Sequence, residues 1–283
     1  MFDIDPIILP TPNPPFEWHR TASGAALVCR ELAPYAAHLF TTRGWDISSA
    51  PSAESPYAWT KVAAALGVDR SRLVRARQVH GNHAIVAETG DDALTDGDII
   101  VSRSHELAVA VQAADCVPLL LVDRRGAGVA AAHAGWRGLA SRVPHAAVSI
   151  LEERFGVVAG ELLAAVGPSI GGCCYQVGID VRDRFMSAGF PREQIESWFS
   201  HTPVSDDMNP SLPGLAGGEA GRWYFDTWRC ARQQLEAAGV APERIFVAGL
   251  CTASHPHVFC SYRRDGSAAG RLAGAIRLRT RDP

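Results

Sequence analysis

The sequence lacks a strong excess of charge of either sign. Its 27 basic and 30 acidic side chains give a formal net charge of -3, whereas proteins that bind the phosphate backbone of nucleic acids carry clustered positive charge. We therefore expect no nucleic-acid partner. The most apolar stretch, LAVAVQAADCVPLLLV at 107–122, is interrupted by Gln112 and Asp115 and is too short to cross a bilayer as a helix. We expect no membrane-spanning segment.

The N-terminal segment also lacks the basic and apolar regions of a secretory signal. MFDIDPIILPTPNPP begins acidic and proline-rich, so we expect a cytoplasmic protein. Five prolines among residues 6–15 favour an extended arm over residues 1–24. Cysteine is scarce, and seven cysteines are an odd number, which favours reduced thiols over a disulfide framework. Some of these thiols are then free to hold a metal.

What the sequence does contain is a series of short β-like runs separated by turns. These runs are AALVCR (25–30), HLFTT (38–42), RLVRARQV (72–79), HAIVAE (83–88), DIIVS (98–102), LAVAVQ (107–112), VPLLLV (117–122), GVAAAH (128–133), RIFVAGL (244–250) and HVFCSY (257–262). Helical spacing occurs at 57–68, 137–156 and 225–240. Clustered strands with few helices predict an α+β fold with mixed or antiparallel sheets. The irregular stretch 202–222 predicts a long loop, and we assign residues 25–283 to one domain.

Three of these runs end on a residue that is able to bind a transition metal. RARQVHGN contributes His80, VQAADCVP contributes Cys116 and VAAAHAGWRG contributes His133, each close to a glycine or proline that turns the chain. Zinc accepts imidazole nitrogen and thiolate sulfur, and three protein ligands leave its fourth position open for water or substrate. The three residues therefore predict one zinc site of the catalytic kind.

A structural interpretation of the same residues remains open at this point. The gaps of 36 and 17 positions between the three residues are not those of a zinc finger or ribbon. A free cysteine in an apolar run is commonly a buried packing residue, and a histidine at a strand end commonly makes a structural hydrogen bond. Convergence of the three side chains is a prediction that only the fold can test.

Five motifs in order resemble the YfiH-like, laccase-domain family, whose older label is multicopper polyphenol oxidoreductase. These are RQVHG, ADCVP, HAGWRG, GPSIGGCCYQVG (167–178) and SYRRDGSAAGR (261–271), and the resemblance runs from about residue 38 to the C-terminus. It implies a single-domain, four-layer α/β/β/α sandwich with mixed sheets. It also implies a zinc ion held by His80, Cys116 and His133, which copper could replace.

The resemblance further implies zinc-dependent purine nucleoside phosphorylase activity on adenosine, inosine and methylthioadenosine, with adenosine deaminase activity. The implied partners are purine nucleosides and inorganic phosphate. Phosphate binding calls for guanidinium groups, which bind it bidentately. The candidates are Arg43, Arg137 and Arg263, the last with Arg264 beside it. A solvated surface charge is the alternative for each arginine.

Gln78 and Asp115 are further substrate-binding candidates, because each lies within two residues of a predicted ligand. The sequence names no catalytic residue beyond the metal site. After TTR the family usually has a glycine pair, whereas this chain reads TTRGWDISSAPSAESPYAW, which changes the expected geometry around Arg43.

The CCYQV segment departs from the usual family sequence at Gln176, and it contains two adjacent cysteines. Gln176 stands where an acidic residue is common, so no proton-transfer role is carried over to it. Cys173 and Cys174 are adjacent, and we expect that they cannot both reach one metal without strain. We therefore predict that these two cysteines are packing residues at a turn.

Other functions remain open. Cys116 and His133 could form the thiolate–imidazole pair of a cysteine hydrolase or amidase, and the resemblance leaves room for one that edits peptidoglycan precursors; this role does not need His80. A copper-dependent polyphenol oxidase is less favoured, because only His255-Pro256-His257 forms a His-x-His pair. A metal-binding interaction module is disfavoured, because a structural zinc would have a fourth protein ligand. A monomer is favoured over an oligomer.

Overall fold

Two six-stranded mixed sheets form the centre of the fold in the computed structural model, which describes residues 8–48, 56–90, 95–215 and 220–280. In spatial order the first sheet consists of β1 (Phe16–Thr21), β2 (Gly24–Cys29), β3 (Ala36–Thr41), β15 (Leu272–Leu278), β7 (Ala108–Ala113) and β4 (Leu73–Arg75). The second consists of β14 (Ile245–Val247), β10 (Leu162–Val166), β8 (Val117–Asp123), β9 (Val129–Ala134), β6 (Ile99–Ser102) and β5 (Ala84–Val86). A small third sheet contains β11 (Gln176–Gly178), β13 (Arg222–Phe225) and β12 (Phe199–Ser200).

Seven helices connect these strands within the described ranges. They are α1 (Pro56–Ala65), α2 (Trp136–Ala140), α3 (Val143–Phe155), α4 (Ile179–Ser187), α5 (Arg192–Trp198), α6 (Thr227–Ala237) and α7 (Tyr262–Asp265). Local chemistry sets several of their ends. The Asp226 side chain accepts a hydrogen bond from the Arg229 backbone N–H and caps α6, and Gly156 ends α3 in the left-handed conformation.

The two large sheets pack face to face and each is covered by helices on its outer side. Phe40, Val111 and Ile276 of the first sheet share one buried cluster with residues such as Leu120 and Val129 of the second. A separate cluster joins the outer face of the first sheet to α1, and another joins the outer face of the second sheet to helices that include α3 and α6. This arrangement confirms the predicted α+β class and the four layers, because each sheet buries both of its faces.

The predicted helix over 137–156 is wrong as a single helix, because the chain forms α2 and α3 instead. Arg142 lies between them with φ +62°, a left-handed conformation that interrupts helical hydrogen bonding. Pro144 then occupies the first turn of α3, where a missing N–H costs no helical hydrogen bond. The proline thus marks the start of a second helix.

Two predicted strands also differ from the structure. Only Leu73–Arg75 of the run 72–79 pairs as β4. The run 257–262 is not a strand; the backbone N–H groups of Val258 and Phe259 both donate to the carbonyl of His255 in a turn, and Ser261 caps α7. The apolar residues of this run are buried within a turn, so their high β propensity does not result in a strand.

Within the predicted N-terminal arm, Phe16–Thr21 is an edge strand that pairs antiparallel with β2 from Phe16↔Cys29 to Thr21↔Gly24. The predicted loop over 202–222 is free of helix or strand in its described part, residues 202–215 and 220–221, and β13 begins at Arg222. Among the described residues no helix combines the length and the hydropathy that a membrane span requires.

Candidate metal centre

His80, Cys116 and His133 lie together at one edge of the second sheet. β8 and β9 pair so that Val117 faces Ala134 and Pro118 faces His133, which puts Cys116, just before β8, beside the end of β9. His80 reaches the same point from the loop between β4 and β5. One potential ligand atom from each side chain lies within 4.8 Å of those of the other two. The fold therefore brings the three sequence-predicted ligands together.

Gly135 leaves the space in which two of these side chains meet. A Cβ atom at this position would lie 2.8 Å from Cys116 Sγ and 3.4 Å from His80 Cδ2. Real Cβ atoms essentially never approach a neighbour within 3.0 Å. The glycine of the HAGWRG motif is thus required because any side chain would collide with Cys116. Its backbone conformation does not require glycine, since its φ of -70° is available to any residue.

Asp98 holds the His133 side chain and the backbone of the His80 loop in position. Its carboxylate accepts a hydrogen bond from His133 Nδ1 at 2.8 Å and from the backbone N–H groups of Val79, His80 and Gly81 at 3.2, 3.0 and 2.7 Å. A carboxylate only accepts, so His133 Nδ1 carries the proton and its Nε2 is free to bind a metal. His80 has φ +60°, and three successive N–H groups converging on one carboxylate offset the cost of that conformation.

The three side chains form a gradient of exposure. His133 is 3 % exposed, Cys116 is half-buried and His80 is exposed. The two imidazole rings meet edge to face with their centres 4.9 Å apart. A bound ion would therefore be fixed from the protein interior by His133 and Cys116 and would face solvent on the side of His80.

The charges of the site stabilise a thiolate. Burial raises the pKa of the Cys116 thiol, but the charge of His133 and hydrogen bonds with His133 and His80 outweigh burial and lower that pKa to about 6. Burial lowers the pKa of His133, but the charge of Cys116 and the hydrogen bond to Asp98 outweigh it and raise that pKa to about 9. Without a metal, the lowered pKa of Cys116 and the raised pKa of His133 favour a thiolate–imidazolium pair. A metal cation would displace the Nε2 proton of the imidazolium.

This donor set fits a zinc ion. Zinc binds sulfur at about 2.3 Å and imidazole nitrogen at about 2.0–2.1 Å, so tetrahedral ligand atoms lie about 3.5 Å apart. The three ligand atoms lie within 4.8 Å of one another, so side-chain movements of about 1 Å would bring them to these distances. Copper accepts the same nitrogen and sulfur atoms, so the donors by themselves do not choose between the two metals.

Asp115 connects the metal centre to two distant segments. Its side chain accepts hydrogen bonds from Thr252 Oγ1 and from the Arg263 backbone N–H, both at 2.6 Å, and its own carbonyl accepts from the Ile170 N–H. It is 8 % exposed, with φ +84°. These contacts occupy both carboxylate oxygens, so Asp115 positions the loops beside Cys116. Direct contact of Asp115 with a substrate remains a prediction.

Tyr175 lies among the charged groups around the site, and the sequence analysis did not single it out. Burial raises the pKa of its phenol, and the charges of Cys116, Arg263, Asp115 and Arg137 all act on it. The Arg263 guanidinium lies 5.1 Å from the centre of the Tyr175 ring. The Arg263 guanidinium thus packs against the Tyr175 ring, and the place of Arg137 and Arg263 beside the metal centre stays a prediction.

The other candidates make structural contacts. Arg263 Nη1 donates to the Gln176 carbonyl at 2.7 Å. The Gln78 amide makes two hydrogen bonds with the backbone of Gln112, at 2.7 and 2.8 Å, and thereby fastens the His80 loop to β7. Arg43 Nη1 donates to the Pro256 carbonyl. Substrate contacts of these three residues stay predictions.

Comparisons with known proteins identify the family of this chain. The family model described as multi-copper polyphenol oxidoreductase laccase matches residues 56–279. The chain belongs to this family. A purine nucleoside phosphorylase of Deinococcus radiodurans is 32% identical over 257 residues, which are 87% of this chain and 90% of the relative. An adenosine deaminase called RL5, from an unknown prokaryotic organism, is 33% identical over 226 residues, 77% of this chain and 78% of the relative.

A solved structure also supports this assignment. The Bacillus licheniformis hypothetical protein YfiH superposes with a TM-score of 0.79 at 26% identity, covering 93% of this chain and 99% of that protein. The resemblance to the YfiH-like, laccase-domain family is thus confirmed. Because relatives in the family are named for enzymatic activities, the chain is an enzyme.

Asp98 is a residue of the metal centre that was not predicted from the sequence. It begins the run DIIVS, which predicts a buried strand. An acidic residue at the start of a buried strand is a usable signal, since a buried carboxylate needs partners. Its partner His133 is 35 positions away, so only the pairing of β6 with β9 reveals the contact.

Proposed function

We propose that this protein is a zinc-dependent purine nucleoside phosphorylase acting on adenosine, inosine and methylthioadenosine, with accompanying adenosine deaminase activity. The observation that carries the proposal is the convergence of His80, Cys116 and His133 at a site where His80 is exposed to solvent. Relatives named purine nucleoside phosphorylase and adenosine deaminase support the choice of reaction.

His80, Cys116 and His133 would hold the zinc ion. When bound, zinc supplies Lewis acidity at its open position, where it polarises an oxygen atom and lowers the pKa of water. Asp98 keeps His133 in the Nδ1-protonated form that leaves Nε2 for the metal. His80, at the exposed side, lets a substrate approach without a large movement of the buried ligands.

Arg137 and Arg263 supply the positive charge that phosphorolysis needs. In that reaction inorganic phosphate attacks the anomeric carbon of the sugar and the purine base leaves, so the phosphate must be held in line with the glycosidic bond. The Arg137 guanidinium is exposed and packs 4.4 Å from the centre of the Trp136 ring. Arg263 is held by the Gln176 carbonyl and the Tyr175 ring. We assign phosphate binding to these two arginines and nucleoside contact to Tyr175.

The direct test is incubation of the zinc-loaded protein with adenosine and phosphate. We expect release of adenine and ribose 1-phosphate, and formation of inosine from adenosine when phosphate is omitted. His80→Ala should lose both activities along with the metal. His145→Ala is the matched control, since His145 is an exposed histidine on α3. Zinc-loaded protein that yields none of these products would disprove the purine assignment.

A second candidate follows from the hydrogen bonds of the same residues. Cys116, His133 and Asp98 form the order of nucleophile, base and orienting carboxylate found in cysteine hydrolases. The low pKa of Cys116 favours this chemistry in metal-free protein. The substrate would be an amide, such as a peptidoglycan precursor. Chelator-treated protein should then cleave amides with or without the His80→Ala change, and added zinc should inhibit it.

A further inference from the structure

A second cluster of metal-binding side chains lies outside the centre described above. Cys173 and Cys174 belong to the turn that follows β10, and Cys251 belongs to the turn that follows β14. Because β10 and β14 are parallel neighbours, both turns leave the sheet at the same edge. Their continuations pair through Ser169 and Cys251. The three sulfur atoms lie within 4.8 Å of one another.

Cys173 and Cys174 both approach Cys251 with their sulfur atoms, although we expected that two adjacent cysteines cannot both reach one metal without strain. Cys173 and Cys174 are packing residues at a turn, as predicted, with exposures of 1 % and 0 %. The turn nevertheless directs both sulfur atoms toward Cys251, which is also 0 % exposed. A metal–sulfur distance of about 2.3 Å gives sulfur–sulfur distances of about 3.8–4.0 Å. The three thiols therefore require only a small contraction to enclose an ion.

Polar groups surround the sulfur atoms in a way that apolar packing does not require. The Gly171 N–H donates to Cys251 Sγ at 3.4 Å. Ser254 Oγ lies 3.4 Å from Cys174 Sγ and 3.6 Å from Cys173 Sγ, and donates to the Pro210 carbonyl at 2.7 Å. A donor beside a thiolate stabilises its charge, and the Gly171 N–H is such a donor, whereas the Ser254 hydroxyl already donates to Pro210.

The cluster is shielded from water by apolar side chains. Ile170 and Ala253 are buried with the three cysteines, and Leu212, Leu215 and Trp228 pack against them. An ion held here would exchange slowly with solvent, as in structural sites. By contrast, Cys29 and Cys230 are buried singly and belong to no such group among the described residues.

We propose that Cys173, Cys174 and Cys251 form a second metal site, for a thiophilic cation such as Zn²⁺ or Cu⁺. Thiolate ligands select these ions over hard cations. On binding, three S–H groups lose their protons to solvent and three metal–sulfur bonds form, with no change of oxidation state. The site is independent of His80, Cys116 and His133, and no step of the proposed phosphorolysis passes through it.

An ion at this position would fasten the two turns that support the active centre. Cys251 precedes Thr252, whose hydroxyl donates to Asp115, and Cys174 precedes Tyr175. Binding of an ion to the folded chain alone raises its free energy of unfolding. We therefore expect the second ion to increase thermal stability.

The test uses the full chain, stripped of metal under reducing conditions and titrated separately with Co²⁺, as a probe of zinc sites, and with Cu⁺. Wild-type protein should bind about two ions per chain, and Cys251→Ala about one. A double variant, His80→Ala with Cys116→Ala, should still bind about one ion. Its Co²⁺ or Cu⁺ form should show thiolate charge-transfer absorption, and its melting temperature should rise. Cys230→Ala is the matched control and should bind about two ions.

Failure of the double variant to bind either ion, or to show thiolate charge-transfer absorption, would overturn the proposal even if Cys251→Ala does not fold. A disulfide between Cys251 and Cys173 or Cys174 in freshly purified, metal-free protein would overturn it as well. The result is separable from the proposed function. Active enzyme with one ion per chain refutes only the second site, whereas inactive enzyme with two ions refutes only the purine assignment.

Discussion

Asp98→Asn tests whether the buried carboxylate organises the metal centre. Burial raises the pKa of Asp98, but hydrogen bonds from groups that include His133 and Gly81 outweigh burial and lower it, so the group is ionised. Its two oxygens receive four N–H groups. An asparagine has nearly the same shape, no charge and only one acceptor oxygen. Whichever way its amide is turned, N–H donors of the loop or of His133 face an NH₂ group.

The expected loss follows from these contacts. A hydrogen bond to a charged group contributes about 1.5–3 kcal/mol and one between neutral groups about 0.5–1.5 kcal/mol. Replacing the carboxylate should therefore lower the free energy of unfolding by at least about 3 kcal/mol. Loss of a residue that orients a metal ligand typically weakens metal binding about 10–100-fold. We expect zinc affinity to fall by that factor in Asp98→Asn.

Zinc affinity is measured by competition with a chromophoric chelator, and stability by urea denaturation of the metal-free protein. Asp123→Asn is the matched control, because Asp123 is a carboxylate of 0 % exposure on β8 that accepts from the Ala127 N–H, away from the three ligands. It should leave zinc affinity unchanged. Equal zinc affinity in Asp98→Asn and wild type would refute the role assigned to Asp98.

Three further substitutions test separate parts of the structure. Gly135→Ala puts a Cβ 2.8 Å from the thiolate ligand, so its zinc affinity should fall at least about tenfold. Gly160→Ala is the control, because Gly160 has open space around it, and its zinc affinity should be unchanged. Equal zinc affinities of Gly135→Ala and wild type would contradict the steric argument. Arg137→Ala should raise the KM for phosphate about tenfold or more. Arg192→Ala, at an exposed position on α5, should leave this KM unchanged. An unchanged KM in both variants would show that Arg137 does not bind phosphate. Burial is the main cause that lowers the pKa of His38 from 6.5 to about 4. As pH falls, His38 is protonated in the unfolded chain before it is protonated in the folded chain, so stability is lost between about pH 6.5 and 4. His38→Gln should avoid a loss of about 3 kcal/mol over that interval, and urea denaturation curves of equal pH dependence would contradict this.

The strand and turn pattern predicted three neighbouring strands of the second sheet, but no predicted run covers its strand β10. The runs 98–102, 117–122 and 128–133 match β6, β8 and β9 closely, because their continuous apolar composition suits strands buried on both faces. Cys116 and His133 lie at one end of this hairpin, where a turn residue adjoins each. Their proximity could therefore be expected from local sequence once the two strands were paired.

Other elements depended on contacts between distant residues. Phe16–Thr21 forms a strand because it pairs with the edge of β2, although prolines precede it in the sequence. Conversely, the β-like run 257–262 became a turn. Propensity for a strand is realised only where a partner strand is available.

By itself, the sequence determined the residues that can bind a metal, the turns beside them and the short apolar strands that bury them. These are local properties of composition and periodicity. The tertiary structure decided that Asp98 holds His133, that the Arg263 guanidinium packs against the Tyr175 ring and that Cys173 and Cys174 share their surroundings with Cys251. Each of these contacts joins segments distant in sequence, and only strand register and the parallel pairing of β10 with β14 bring their atoms together.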